Sequence, residues 1–172
     1  MGAGKTSVGR ELAKFLQWDF IDLDEVIEQR EGRTVQQIFA EDGEAHFREI
    51  ERRKLEQVLR QSSGDSVVSV GGGAFAQPGC VELIGECGAI SVLLDAPVEE
   101  LRRRVRMGNS VRPLAADRAR FFELYKERRS AYERAHNRFD TAGKSVPKVA
   151  REIAQWVRTS LIRPADGSAL EV

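Results

Sequence analysis

Residues 2–7 read Gly-Ala-Gly-Lys-Thr-Ser, and an amphipathic stretch follows at once. That pairing constrains the fold more than any other feature of the chain. Gly4-Lys5-Thr6 matches the second half of a phosphate-binding loop, G-x-x-x-x-G-K-[ST]. Glycines let such a loop curl until its N–H groups converge on phosphate oxygens. The helix behind it adds its positive end. In this motif the lysine reaches the β- and γ-phosphates and the hydroxyl goes to Mg2+. Val8, Leu12, Phe15 and Leu16 recur at helical spacing over Lys5–Leu16, so the required helix is in place. The other reading is a glycine-rich, unstructured start. The motif also expects a first glycine two positions before Met1, with a buried strand ahead of it. On that reading the chain lacks its central first strand. It is then expected to be marginal or insoluble until about ten upstream residues are restored.

Beyond the loop, short apolar runs alternate with helical patterns. Trp18–Asp22, Ser66–Val70, Ala89–Asp95 and residues 138–141 read as strands. Helices are expected over 23–32, Thr34–Ala40, 43–60, 78–86, 97–106, Asp117–Ala135 and from Ser145 to about Ile162. Strands alternating with helices predict an α/β fold with a parallel sheet and helices on both faces. A chain of 172 residues suits one domain. Residues 163–172 are expected to be a disordered tail.

Composition narrows function mainly by exclusion. Lys+Arg and Asp+Glu are both 27, so a zero net charge gives no pull toward nucleic acid or an acidic membrane. No apolar run approaches a membrane span. Cys80 and Cys87 lack metal or redox spacing and read as reduced thiols of a cytoplasmic protein. His46 and His136 also lack metal-like spacing and read as structural. A monomer is the expected state.

Five places carry candidate chemistry. Asp22 and Asp24 sit at a strand-to-helix turn, where ligands bind in open α/β sheets. A carboxylate there can hold Mg2+ through water or take a proton from an attacking hydroxyl, or it can cap the next helix. Arg48 and Glu51 are three apart on one helix, either a carboxylate-binding device or an exposed charge pair. Phe39 and Phe47 would wall it. Gly71-Gly72-Gly73 end a strand, as a close approach for backbone N–H groups or as a plain turn. Arg112 lies in a Gly/Asn/Pro loop over 107–118 that reads as a lid, either neutralising phosphoryl charge or merely solvated. Arg128 and Arg129 lie on one helix, and one of them could face the cleft.

Taken together and in order, these segments resemble the shikimate kinase family over residues 1–160. The resemblance implies a three-layer αβα P-loop architecture of the nucleoside-monophosphate-kinase kind, with a substrate region over about 24–61. It implies ATP as co-substrate, Mg2+ as cofactor and the 3-hydroxyl of shikimate as acceptor. Gly2, Ala3, Gly4, Lys5, Thr6 and Ser7 would wrap the phosphates, and Lys5 would also be catalytic. Thr6 would bind Mg2+, helped by Asp22 through water. Asp24 would orient or deprotonate the attacking hydroxyl. Arg48 and Arg128 would clamp the substrate carboxylate, and the Gly72 N–H would reach the substrate. Glu51 would orient Arg48, Arg112 would come down from the lid, and Lys144 would stand beside adenine. Arg128 is preferred over Arg129 because it precedes Tyr132 by four residues, as in the family's R-x-x-x-Y. Ser130, where the family often has proline, leaves that register open. Another P-loop kinase of a hydroxy acid, such as a gluconate-type enzyme, or a silent binding module, are the rival readings. A regulatory GTPase lacks its N/T-K-x-D motif here.

Overall fold

The computed structural model describes residues 2–62, 65–107 and 117–161. Within them, helix α1 (Lys5–Leu16) leads into β1 (Asp19–Asp22) and α2 (Leu23–Glu31). Then come α3 (Val35–Glu41), α4 (Gly43–Gln61), β2 (Ser66–Ser69), a single turn α5 (Gly72–Phe75) and α6 (Cys80–Glu86). The chain continues through β3 (Val92–Asp95), α7 (Val98–Met107), α8 (Arg118–Tyr132), β4 (Asn137–Asp140) and α9 (Val146–Leu161).

The helix ends follow from local chemistry. Thr34 and Gln37 form a reciprocal capping box at the start of α3. Asp117 accepts from the Arg120 N–H at the start of α8. Gly32 ends α2 with φ 64°, a left-handed conformation that glycine adopts without strain.

All strand pairing among the described residues is parallel. β1 pairs with β2, and β3 with β4. The two pairs form separate two-stranded sheets. Between them lies an apolar cavity of about 370 Å³, lined by both β2 and β3 and by Ala3, Val8 and Leu12.

Helices cover the strands in two main groups. On α1 and α9, Val8, Leu12, Val149, Ile153 and Val157 form one apolar seam, against which Val67, Val92 and Phe139 of the strands pack. Leu23, Ile27, Ile38, Phe47, Ile50 and Leu55 form a second core within α2, α3 and α4, joined by Cys80 and Ile84 of α6. Each fully buried aliphatic side chain contributes about 1.5–3 kcal/mol, so the second core is what gives α2, α3 and α4 a fixed arrangement.

Several expected boundaries move, three of them for a visible local reason. Trp18 stays outside β1 because its N–H closes the end of α1 on Ala13 O at 2.9 Å. β3 begins at Val92, not Ala89, because the Ala89 N–H bonds back to Ile84 O and closes α6. The glycine run is not a plain turn. It enters a helical turn in which the Phe75 N–H reaches Gly71 O at 3.2 Å.

Candidate active site

The phosphate-loop segment is built as its sequence requires. Gly2 and Gly4 have φ of 67° and 83°, and Gly4 is the N-cap of α1. A Cβ on Gly2 would stand 2.5 Å from Leu101 O of α7, so the loop is pressed against that helix. Ala3 is buried with Ala96, Leu101 and Phe121. Lys5, Thr6 and Ser7 form the first turn of α1, where unpaired N–H groups and the helix dipole favour an anion.

Asp22 joins this turn to β1. Its Oδ2 accepts from Thr6 Oγ1 at 2.8 Å, and its Oδ1 accepts from the Asp24 N–H at 3.1 Å. It therefore caps α2 and meets the loop hydroxyl at once, with one oxygen for each task. A hydroxyl and a carboxylate at this distance are hard oxygen donors that fit Mg2+, which takes its remaining ligands from water and phosphate. No cluster of three or more acidic, His or Cys side chains suited to a metal exists among the described residues.

Asp24 lies two residues further, in the first turn of α2 rather than on the strand. Its Oδ1 stands 3.8 Å from where a Gly71 Cβ would be, and its charge is felt by Glu51. The two aspartates thus face different neighbours. Asp22 faces the phosphate loop, and Asp24 faces the glycine turn.

Glu51 is only 1% exposed, so its pairing with Arg48 is not a surface charge pair. Arg48 Nη1 donates to Glu51 Oε2 at 2.7 Å. The guanidinium also lies over Phe39 and Phe47, 5.6 and 5.3 Å from the ring centroids, and those rings pack on each other at 4.5 Å. On its outer side Arg48 donates from Nε and Nη2 to the exposed Glu44. Burial pushes the Glu51 carboxyl above its usual range, and Asp24 adds to this. Arg48 and Gln77 pull it back. Burial works against the Arg48 charge, but its glutamate partners hold the guanidinium protonated.

Each of the three glycines makes room for a different polar group. A Cβ on Gly71 would stand 2.9 Å from Glu51 Oε1, and one on Gly72 would stand 2.5 Å from Tyr132 Oη. A Cβ on Gly73 would overlap the Arg48 guanidinium. Tyr132 Oη also donates to Gly72 O at 3.2 Å. Burial raises the Tyr132 hydroxyl's pKa, while the charge and hydrogen bond of Arg128 lower it. Arg128 therefore stands at the tyrosine that touches the glycine turn.

Arg129 does something else. Its Nη1 donates to the buried Asp95 at 2.7 Å and to Tyr125 Oη at 2.9 Å, and its Nε donates to Glu133. Hydrogen bonding to Asp95, then to Glu133, raises its pKa. It fastens α8 to the end of β3.

Lys144 gives its ammonium to Glu152 of α9 at 2.7 Å. Arg112, most of the 107–118 lid and the 163–172 tail lie outside the described residues. His136 accepts from the Ser91 N–H through Nδ1 at 3.1 Å, a contact between the residues just ahead of β4 and β3. Burial pushes the Cys80 thiol up to about 11, so it is protonated and unreactive at neutral pH. No described helix is long and apolar enough to cross a membrane.

One contributor carried no local signal in the sequence, and another only a faint one. Gln77 donates to Glu51 Oε2 at 2.9 Å from the turn before α6. Tyr132 closes over Gly72, and only its spacing from Arg128 hinted at it.

Against proteins of known sequence, the family profile described as shikimate kinase matches residues 1–158. The chain belongs to the shikimate kinase family. The shikimate kinase of Persephonella marina is 38% identical over 159 residues, covering 92% of this chain and 94% of its own. That of Mycobacterium avium is 43% identical over 156 residues, covering 88% and 86%. Among solved structures, the shikimate kinase from Acinetobacter baumannii, in complex with shikimate, superposes with a TM-score of 0.84 at 33% identity and covers 95% of this chain and 91% of its own. The enzyme from Bacteroides thetaiotaomicron gives 0.81 at 30%, covering 92% and 94%. The α/β expectation therefore holds: parallel strands between helical layers, in a family of P-loop kinases.

Proposed function

We propose that the chain transfers the γ-phosphoryl group of ATP to the 3-hydroxyl of shikimate, releasing ADP and shikimate 3-phosphate. One observation carries this reading. The Arg48 guanidinium is seated on Phe39 and Phe47, tied to a buried Glu51, and presented beside the glycine turn that Asp24 also approaches. An arginine so fixed suits a small carboxylated substrate, and a carboxylate nearby suits an attacking hydroxyl.

Phosphoryl transfer asks the protein for positioning and charge stabilisation more than covalent chemistry. Gly2 to Ser7 wrap the phosphates, and Lys5 spreads charge over the transferring group. Thr6 would hold Mg2+, with Asp22 helping through water, and the ion would neutralise phosphate charge. Arg48 and Arg128 take the substrate carboxylate, and the Gly72 N–H faces the substrate. Asp24 holds the attacking hydroxyl and accepts its proton. Arg112, from the lid over 107–118, adds positive charge and helps exclude water, the competing acceptor. We assign these roles to one cytoplasmic, monomeric domain over residues 1–162.

A test is to incubate the protein with ATP, Mg2+ and each of a panel of hydroxy acids and identify products by mass. Phosphate transfer to shikimate alone supports the reading. Transfer to gluconate and not to shikimate points to another hydroxy-acid kinase, and transfer to none points to a binding module.

A further inference from the structure

Glu51 Oε2 accepts two hydrogen bonds from opposite sides. Arg48 Nη1 donates at 2.7 Å from the same helix, and Gln77 Nε2 donates at 2.9 Å from 26 residues further along the chain. We infer that Gln77 is a positioning residue for the substrate's carboxylate, acting through Glu51 on Arg48. The inference rests on the shikimate-kinase reading above and deepens it.

A carboxylate that is 1% exposed has lost its water and depends on protein donors. Gln77 is the donor that is not itself part of the clamp. On the other side of the carboxylate, Oε1 faces the backbone of Gly71, where even a Cβ would stand 2.9 Å away. The carboxylate is thus wedged between a glycine backbone and an amide, and one rotamer satisfies both.

Gln77 is well held for this task. Its N–H bonds to Ala74 O at 3.0 Å, and its own carbonyl accepts from the Cys80 N–H at 3.2 Å. The amide thereby ties the turn between α5 and α6 to helix α4. The consequence reaches the cleft through Arg48. With Nη1 committed to Glu51, the guanidinium's Nε and Nη2 point outward, where the exposed Glu44 accepts from both. That outer edge is the fork a substrate carboxylate would take, displacing Glu44.

Electrostatics lean on the same bond. The charged groups facing Glu51 are Arg48 on its own helix and Asp24 on α2, with the protonated Cys80 thiol on α6. Asp24 and burial favour a neutral Glu51. Arg48 and the Gln77 amide favour the carboxylate. Without the amide, Glu51 takes up a proton at a higher pH, and a neutral Glu51 grips Arg48 less firmly.

The test compares wild type with Gln77→Met and Gln77→Ala, which differ in bulk but both lack the donor. Both variants should raise KM for shikimate about tenfold, the effect of one lost hydrogen bond to a buried charge. KM for ATP should not move, and the loss should fall on KM rather than kcat. The shikimate KM of both should also worsen faster than wild type's as pH is lowered from neutral toward the ordinary carboxylate range, because the amide no longer helps hold Glu51 ionised. An unchanged shikimate KM in either folded variant overturns the inference. So does a parallel rise in both KM values, or a penalty that follows side-chain bulk, since these are signs of general packing loss. Absence of shikimate-dependent ADP release from the wild type would instead defeat the functional reading itself.

Discussion

Gly73 lies flat against Arg48: a Cβ at this position would overlap Nη1, Nη2 and Cζ of the guanidinium. The backbone of Gly73 is ordinary helix, so alanine there creates no φ strain. What it displaces is the far end of a flexible side chain. Gly73→Ala should therefore leave thermal stability nearly unchanged while raising KM for shikimate by about tenfold or more, as a carboxylate's charge-assisted partner is pushed aside. Steady-state kinetics with each substrate varied in turn, beside a melting curve, checks both halves.

Asp22 does two jobs with two oxygens, and two substitutions separate them. Asparagine caps a helix about as well as aspartate, whereas alanine costs roughly 1 kcal/mol. Asp22→Asn should keep wild-type stability but need more Mg2+ for half-maximal turnover. Asp22→Ala should lose both. If Asp22→Asn leaves the Mg2+ titration unchanged, the carboxylate's role is capping alone.

Glu51 gives a prediction with a definite sign in pH. Its carboxyl is raised chiefly by burial, so its ionised form is the disfavoured one in the fold. Stability from this group is full below its unfolded pKa and is lost as pH rises through the raised folded value. Glu51→Gln removes that dependence. Lowering the pH from neutral toward the ordinary carboxylate range should thus stabilise wild type relative to Glu51→Gln. The same substitution should raise KM for shikimate at neutral pH. Denaturant unfolding of both proteins at two pH values reads the first effect, and a parallel slope in the two would contradict the assigned pKa direction.

The neighbouring arginines should part company. Arg129→Ala leaves the buried Asp95 with the exposed Arg138 as its one ionic partner among the described residues, and should cost about 1–3 kcal/mol of stability. Arg128→Ala should melt near wild type and lose shikimate affinity. The reverse outcome would reassign the clamp to Arg129.

Much of this architecture is legible in the sequence, for physical reasons. Helix α1 announces itself because Gly4 precedes a clean apolar stripe at Val8 and Leu12, and α2 stops where Gly32 supplies a left-handed cap. Ala89–Ser91 misled the strand reading because an apolar composition says nothing about whether Ala89 closes a helix behind it. The helical turn at Gly72 was hidden because glycine disfavours helix, and here close packing against Tyr132 and Arg48 overrides propensity. The burial of Glu51 was invisible too. A glutamate three residues after an arginine looks solvated until α2, α5 and Gln77 close around it. Asp22 shows the opposite case: the capping reading holds through Oδ1, and Oδ2 is left to meet the Thr6 hydroxyl of the loop.

The proposed kinase activates one hydroxyl of shikimate through Asp24, and the decisive measurement is ADP release with and without shikimate, for wild type and Asp24→Asn. Wild type should release ADP only with shikimate and Mg2+ present, and Asp24→Asn should lose most turnover while still binding ATP. Release that ignores shikimate, or an Asp24→Asn variant that turns over near the wild-type rate, would contradict that proposal.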